Sequence, residues 1–108
     1  MQSTRDKNRR PTHPGEILLE DVLPELGISQ TEFAKKLGVS RRTVSEVLHE
    51  HRSLTPDLAI RLARLIGGTP DGWLKLQQAV DIWDLERRYA KRYAAIKKVA
   101  ERQVYKVG

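Results

Sequence analysis

Residues 29–48 read SQTEFAKKLGVSRRTVSEVL, and this stretch decides the predicted fold. Ser29 followed three residues later by Glu32 is the pattern of a helix start in which each side chain bonds the other's free backbone N–H. Gly38 stands where a left-handed residue ends the first helix, and Ser40 is suited to cap the second. The stretch therefore predicts two short helices joined by a tight turn.

The apolar residues of this stretch recur at helical spacing, which predicts that one side of each helix is buried. These core candidates are Phe33, Ala34, Leu37, Val44, Val47 and Leu48. The outward side of the second helix is polar and carries Arg41, Arg42, Ser45, Glu46 and His49. A polar helix that opens with adjacent arginines, held on a buried partner helix, is typical of side chains presented to the major groove of DNA.

Several polar residues in and just after this stretch have predicted roles in DNA binding. Arg41 and Arg42 lie at the N-terminal end, where the guanidinium fork matches guanine O6 and N7 with about 1 to 3 kcal/mol of discrimination. Glu46 either accepts from cytosine N4 or orients Arg42 through an (i, i+4) pair. The residues predicted to lie on the phosphates are Gln30, Ser40, Thr43 and Arg52. The alternative is that the two arginines form only a solvated face.

Length and composition limit the classes of protein that fit. The chain has 108 residues, a net charge of +6 and no cysteine. One domain is expected, without disulfides or thiolate metal sites, in a reducing compartment such as the cytoplasm. No run of about 18 apolar residues occurs, so no membrane span is expected. Export is not expected either, because the basic N-terminus is not followed by the apolar stretch of a signal peptide.

The charge is unevenly distributed along the chain. The net charge is +3 over residues 1–13, −4 over 14–28, +2 over 29–55, −1 over 56–85 and +6 over 86–108. A polyanionic partner would suit both basic ends. Charge of this size also favours solubility alone, so it supports nucleic-acid binding without establishing it.

The remaining sequence predicts three further helices and no strand. After a disordered basic arm over residues 1–12, Pro14 opens a helix with Ile17, Leu18, Val22 and Leu26 on one face, distorted or ended at Pro24. Thr-Pro-Asp at residues 55–57 and again at 69–71 opens the fourth and fifth helices. The fifth is expected to run unbroken to about residue 104.

Several patterns have two interpretations. The exposed acids of the first helix, Glu16, Glu20, Asp21 and Glu25, either dock a basic protein or form an ordinary solvated face. The aromatic residues Trp73, Trp83, Tyr89 and Tyr93 fit the core or a subunit interface better than a base-stacking platform. His49, Glu50 and His51 are poorly spaced for a metal, and His13 fits a helix start better than a catalytic base. We expect no enzyme activity, cofactor or small-molecule substrate.

Four segments together resemble one known family: HPGEILLEDVL at 13–23, GISQTEFAKKLGVSRRTVSEVL at 27–48, LTPDLAIRLARLIGGTPDGWLKLQ at 54–77 and DIWDLE at 81–86. They look like the HigA antitoxins, within the lambda-repressor-like helix-turn-helix superfamily. The resemblance implies the antitoxin of a type II toxin-antitoxin pair, which neutralises a small basic RelE-like ribonuclease toxin and represses the shared promoter as a dimer. It implicates Gln30 and Ser40 in phosphate contact, and Arg41, Arg42, Thr43 and Glu46 in groove contact.

The chain departs from that family in two places. His49-Glu50 stands where the family usually has Asn-Gly, so a non-glycine residue must adopt or avoid the left-handed cap. The basic segment from Arg87 onward is less family-like, and it would serve toxin binding, DNA phosphates or dimerisation.

The predicted architecture is an all-α, five-helix lambda-repressor-like helix-turn-helix domain with an extended C-terminal helix. Its parts are a disordered arm (1–12), the DNA-binding domain (13–86) and a basic helical extension (87–108). The predicted homodimer interface comprises Trp83, Tyr89, Tyr93 and Ile96. The competing hypotheses are a free-standing helix-turn-helix regulator without a toxin, and an interaction module that has lost DNA binding.

Overall fold

A computed structural model of the chain describes residues 8–99, and every regular element within that range is helical. The elements are α1 (Pro14–Ile17), a π-helical turn (Leu18–Val22), α2 (Leu23–Leu26), α3 (Gln30–Leu37), α4 (Arg41–Leu48), α5 (Pro56–Ile66), α6 (Pro70–Arg88) and α7 (Ala90–Ala94). The predicted all-α class is confirmed. None of these helices has the length and apolar character needed to cross a bilayer.

The first helical run is distorted just before Pro24, as predicted. The Leu23 N–H donates to the Leu18 carbonyl five residues earlier, which widens the turn. Because proline has no N–H and its ring crowds the carbonyl four residues back, a widened turn accommodates it. The widened turn holds one residue more than an α-helical turn, which moves the buried face of the following residues by one position. Leu23 is therefore 7% exposed and Leu26 is 47% exposed. The prediction that Leu26 lies on the buried face was wrong for this reason.

The core lies where α3, α4 and α5 meet the first helical run and α6. All six core candidates of residues 29–48 are buried, which confirms the predicted faces. α1 lies against the end of α4 so closely that a Cβ at Gly15 would collide with the Val47 carbonyl oxygen. The second half of the core comes from Leu58, Ala59 and Leu62 of α5 and Val80 of α6.

Both Thr-Pro-Asp triplets start helices, as predicted. The Thr55 hydroxyl accepts from the Leu58 N–H at 3.2 Å, and the Thr69 hydroxyl accepts from the Gly72 N–H at 2.9 Å. Each following proline occupies the first turn, where its missing N–H leaves no helical bond unmade. These caps fix the start of α5 and of α6.

The last helix is shorter than predicted. α6 ends at Arg88, and Tyr89, with φ −119° and ψ 32°, separates it from the five-residue α7. Residues 90–99 are all exposed. Without a packing surface, apolar spacing alone does not hold a helix together. The prediction of an unbroken helix to about residue 104 was therefore wrong at Tyr89, and its last residues lie outside the described range.

Candidate nucleic-acid interface

The turn between α3 and α4 fixes the angle at which α4 leaves the core. Gly38 has φ +77°, and its N–H donates to the carbonyls of Ala34 and Lys35 at 2.9 and 3.1 Å. The Val39 N–H donates to the Ala34 carbonyl at 3.0 Å, which completes a Schellman closure of α3. The predicted tight turn is confirmed.

A residue that the sequence analysis did not identify also holds this turn. Arg61 of α5 donates from Nη1 to the Leu37 carbonyl at 2.8 Å, and from Nε to Asp57 at 2.9 Å. A positive side chain on the last carbonyls of a helix stabilises its C-terminal end. The contact joins residues 24 positions apart in sequence, so no local pattern could have indicated it.

The N-terminal end of α4 is built from polar side chains. The Ser40 hydroxyl accepts from the Thr43 N–H at 3.1 Å and lies 2.9 Å from the Thr43 hydroxyl. Arg41 and Arg42 follow this cap directly and are exposed. Free backbone N–H groups and hydroxyls at a helix start are suited to phosphate oxygens. Gln30 is the first residue of α3 and is half-buried.

Glu46 bridges two of the candidate arginines. Its Oε2 accepts from Arg42 Nε at 3.2 Å, and its Oε1 accepts from Arg52 Nε and Nη2 at 2.9 and 2.7 Å. These bonds, first the one from Arg52 and then the one from Arg42, hold the pKa of Glu46 below its ordinary value. The pairing with Arg42 is the second of the two roles predicted for Glu46. Arg41, in contrast, forms no ion pair within residues 8–99.

The structure shows that a non-glycine residue adopts the left-handed conformation after α4. Glu50 adopts the left-handed conformation with φ +61°, and the His51 N–H donates to the Glu46 carbonyl at 2.7 Å. The glycine-type helix end is thus formed by a glutamate. His49 Nδ1 is 2.9 Å from the Ser45 carbonyl oxygen. Within residues 8–99, no three His, Asp or Glu side chains are grouped as a metal would need.

The candidate partner surfaces lie elsewhere on the domain. Glu16, Glu20, Asp21 and Glu25 are all exposed along α1, the π turn and α2. Of the predicted dimer residues, Trp83 is half-buried beneath the Arg87 guanidinium, 3.0 Å from the ring centroid, and Tyr89 and Tyr93 meet edge to face. Ile96 is 74% exposed. The sequence analysis missed the exposed Ile82 and Leu85 of α6, whose spacing is three residues.

Two further polar groups are buried. His13 is 3% exposed, and its Nδ1 accepts from the Gly15 N–H at 2.8 Å, so it starts α1 as predicted. Burial lowers the pKa of His13 from its usual value. Gln77 of α6 is 5% exposed; its Oε1 accepts from the Leu54 N–H at 2.8 Å, and its Nε2 donates to Asp81 at 2.9 Å. Gln77 thereby ties the loop after α4 to α6.

A short polar helix with two exposed arginines at its tip, joined by a glycine turn to a partner helix that is buried on one side, defines a helix-turn-helix domain of the DNA-binding type. A sequence model of the helix-turn-helix family matches residues 19–73, and the chain belongs to that family.

Within the helix-turn-helix family, the chain is similar to several known proteins. Antitoxin HigA-1 of Vibrio cholerae is 40% identical over 93 residues, which span 86% of this chain and 88% of the relative. The uncharacterized HTH-type transcriptional regulator YbaQ of Escherichia coli strain K12 is 40% identical over 99 residues, 90% of this chain and 88% of that protein. The solved structure of Pseudomonas aeruginosa antitoxin HigA with the higBA promoter is similar with a TM-score of 0.77 and 34% identity, covering 84% of this chain and 100% of that one. The resemblance to HigA antitoxins is confirmed.

Proposed function

We propose that this protein is the antitoxin of a type II toxin-antitoxin pair and that its homodimer represses its own promoter by binding operator DNA through α4. The observation that carries the proposal is the exposed pair Arg41 and Arg42 on the Ser40-capped end of α4, whose opposite side is buried in the core. The solved structure of Pseudomonas aeruginosa antitoxin HigA with the higBA promoter supports the same assignment.

In this proposal, the polar residues of this surface have separate tasks. Arg41 and Arg42 reach base edges, where a planar fork reads guanine. Gln30, Ser40 and Thr43 hold phosphates at the rim of the groove, and Ser45 lies on the same side of α4. Glu46 orients Arg42 and Arg52, and Arg52 then lies beside the backbone of the DNA. Repression follows because bound protein occludes the promoter.

The second half of the proposal is a toxin partner. The resemblance to HigA antitoxins indicates a small basic ribonuclease of the RelE-like type, encoded beside this chain. The surface of α1, the π turn and α2 suits a basic protein, since residues 14–28 carry four exposed carboxylates and no basic residue. Binding there would block the toxin sterically or at its active site, without catalysis by the antitoxin.

Substitutions at the tip of α4 test the DNA half. Arg41→Ala and Arg42→Ala should each weaken binding to the chain's own upstream DNA by about 1 to 3 kcal/mol, because each removes a base contact. Arg64→Ala, which removes an exposed arginine from α5, is the matched control and should bind normally. Fluorescence anisotropy on operator and on random duplex measures both affinities.

One result would contradict the proposed base-reading role of Arg41 and Arg42. If Arg41→Ala and Arg42→Ala lose as much affinity for random DNA as for the operator, the arginines contact only phosphates. If the wild-type chain shows no salt-dependent shift with its upstream DNA, the protein is an interaction module that does not bind DNA.

Co-expression with the adjacent reading frame tests the toxin half. The two products should co-purify, and the double substitution Glu20→Lys, Glu25→Lys should release the toxin, since it reverses the charge of the docking surface. The same charge reversal at Asp71 and Glu86, exposed acids of α6, is the control. Operator binding without a co-purifying partner would favour the alternative, a free-standing transcriptional regulator.

A further inference from the structure

Three side chains from distant parts of the chain form an ionic contact beside the end of α4. Arg10 donates from Nε and Nη2 to the two carboxylate oxygens of Asp84 at 2.8 and 2.9 Å, and from Nη1 to Glu50 Oε1 at 3.0 Å. We call this group of Arg10, Glu50 and Asp84 the Arg10 clasp. It joins the segment before α1, the residue that ends α4, and α6.

The position of Glu50 indicates that the clasp has a role beyond surface charge. Glu50 occupies a left-handed backbone position, with φ +61°, that glycine or asparagine would adopt more easily. The left-handed conformation costs more free energy for glutamate than for glycine, but the glutamate side chain accepts the bond from Arg10. The clasp therefore attaches to the one backbone position that sets where α4 ends.

The clasp is too exposed to be a main source of global stability. The three side chains are 40%, 33% and 42% exposed, and ion pairs in contact with water contribute little to folding. The bidentate contact between arginine and Asp84 nevertheless fixes geometry, because two parallel bonds allow one relative orientation. Its effect should appear in the placement of the elements that it joins.

α6 also has a second contact with the segment that follows α4. Gln77 bonds the Leu54 backbone in the loop after α4, at a buried point. Asp84 lies seven residues further along α6, about 10 Å at a rise of about 1.5 Å per residue. α6 is held by the bond from Gln77 and by Val80, which is buried in the core, and the clasp adds a bidentate contact further along the helix that restricts the angle between the distal part of α6 and α4.

We propose that Arg10 is a positioning residue that sets the separation of the two recognition helices in the DNA-bound dimer. The inference rests on the proposed function, in which a homodimer reads DNA through α4, and it adds that the second copy packs on the distal part of α6. Two half-sites on one face of a duplex lie about 34 Å apart, so the angle between α4 and α6 in each protomer selects the spacing. Arg10 itself touches no DNA in this arrangement.

Operators with one or two half-sites separate positioning from direct contact. Arg10→Gln should bind a single half-site duplex as the wild type does, with the same salt slope, but should bind the two-site operator about tenfold more weakly. Its preference among operators whose spacer is one base pair shorter or longer should become flatter. Arg9→Gln, the same charge change on the neighbouring exposed residue, should leave all four measurements unchanged.

The partner carboxylate provides a second test. Asp84→Asn should reproduce the loss on the two-site operator, and the double variant Arg10→Gln, Asp84→Asn should add little to either, because one contact is removed in each case. Equal loss by Arg10→Gln on the half-site and the two-site operator would mean that Arg10 contacts DNA directly. Unchanged affinity for both would also overturn the proposal.

A distance measurement tests the clasp without DNA. Because the chain has no cysteine, spin labels can be placed by Lys36→Cys and Glu86→Cys, at exposed sites on α3 and α6. Arg10→Gln should broaden the label-to-label distance distribution, and Arg9→Gln should not. An unchanged distribution overturns the inference even if operator binding is demonstrated, whereas failure of the wild type to bind its operator refutes the proposed function alone.

Discussion

At the scale of single residues, charge pairing decides which groups are free to meet a ligand. Glu46 holds Arg42 and Arg52, whereas Arg41 has no ion pair within the described residues. A carboxylate on the surface that we propose faces DNA would also repel phosphates. Glu46 bonds two arginines, and under the proposed function it would also lower the attraction of this surface for any duplex.

Replacing Glu46 separates these two effects. Glu46→Gln should bind random DNA more tightly, and its log–log salt slope should steepen by about 0.9 for each phosphate that a released arginine contacts. The ratio of operator to random affinity should fall. Glu25→Gln makes the same charge change on α2 and should not alter the slope. A Glu46→Gln variant with wild-type affinity for random DNA would contradict the repulsive role.

The buried His13 predicts how stability depends on pH. Burial lowers its folded-state pKa below the usual value of 6.5, and its Nδ1 must stay unprotonated to accept from Gly15. The unfolded chain therefore takes up the proton first as the pH falls, so stability is complete above about pH 6.5 and declines below it. Urea unfolding at pH 7.5 and 5.5 measures the decline.

Asparagine is the matched substitution at this position. His13→Asn keeps an acceptor suited to a helix start and does not titrate, so it should lose less stability between pH 7.5 and 5.5 than the wild type. Equal losses in the two proteins would assign the pH dependence to other groups.

At the scale of elements, the ends of helices are fixed by contacts across the fold as much as by local caps. Ser29, Ser40, Thr55 and Thr69 cap their own helices, and sequence alone predicts each of them. The C-terminal end of α3 also needs Arg61 from α5. The turn of the helix-turn-helix is therefore held from a third helix.

Two glycines allow this contribution to be measured. Gly27 and Gly38 both have left-handed φ values, +67° and +77°, but a Cβ at Gly27 meets nothing, whereas one at Gly38 lies 3.0 Å from Arg61 Nη1. Gly27→Ala should cost about 1 kcal/mol for its backbone conformation alone. Gly38→Ala should cost about 0.5 to 1.5 kcal/mol more, because it also disturbs the bond from Arg61 to Leu37.

Chemical denaturation of the two variants gives the comparison. Adding Arg61→Met to each should remove most of the difference between them, since the third helix no longer holds the turn. Equal destabilisation by the two glycine substitutions in the parent chain would show that the contact contributes nothing to folding.

At the scale of the whole molecule, α6 carries apolar side chains that the protomer leaves uncovered. Ile82 and Leu85 are 50% and 43% exposed, and they line a groove together with Leu54 and Leu74. The predicted dimer residues Trp83, Tyr89, Tyr93 and Ile96 continue along the same part of the chain. The proposed homodimer would cover both groups of residues.

A charge placed on this surface tests the homodimer. Ile82→Glu should yield a monomer in sedimentation equilibrium, because a carboxylate cannot be desolvated against an apolar partner without a large cost. Ile60→Glu, on α5, alters an isoleucine of similar exposure, 48%, and should leave the mass unchanged. A dimeric Ile82→Glu together with a monomeric Ile96→Glu would restrict the interface to the residues that the sequence predicted.

The sequence by itself determined the local features of this protein. Helix starts, the Gly38 turn and the buried faces of α3 and α4 follow from side chains within four residues of one another, so periodicity and capping patterns reveal them. The tip of α4 was predicted in the same way, because Arg41 and Arg42 are exposed by the same helical spacing that buries Val44 and Val47.

Only the tertiary structure decided the rest. The contacts from Arg61 to Leu37, Gln77 to Leu54 and Arg10 to Asp84 join residues between 23 and 74 positions apart, and no local pattern encodes such pairs. The break at Tyr89 has a related cause: sequence spacing shows which residues share a helical face, but the packing around them decides whether anything covers that face. Residues 90–99 are left uncovered, and the long helix ends before them.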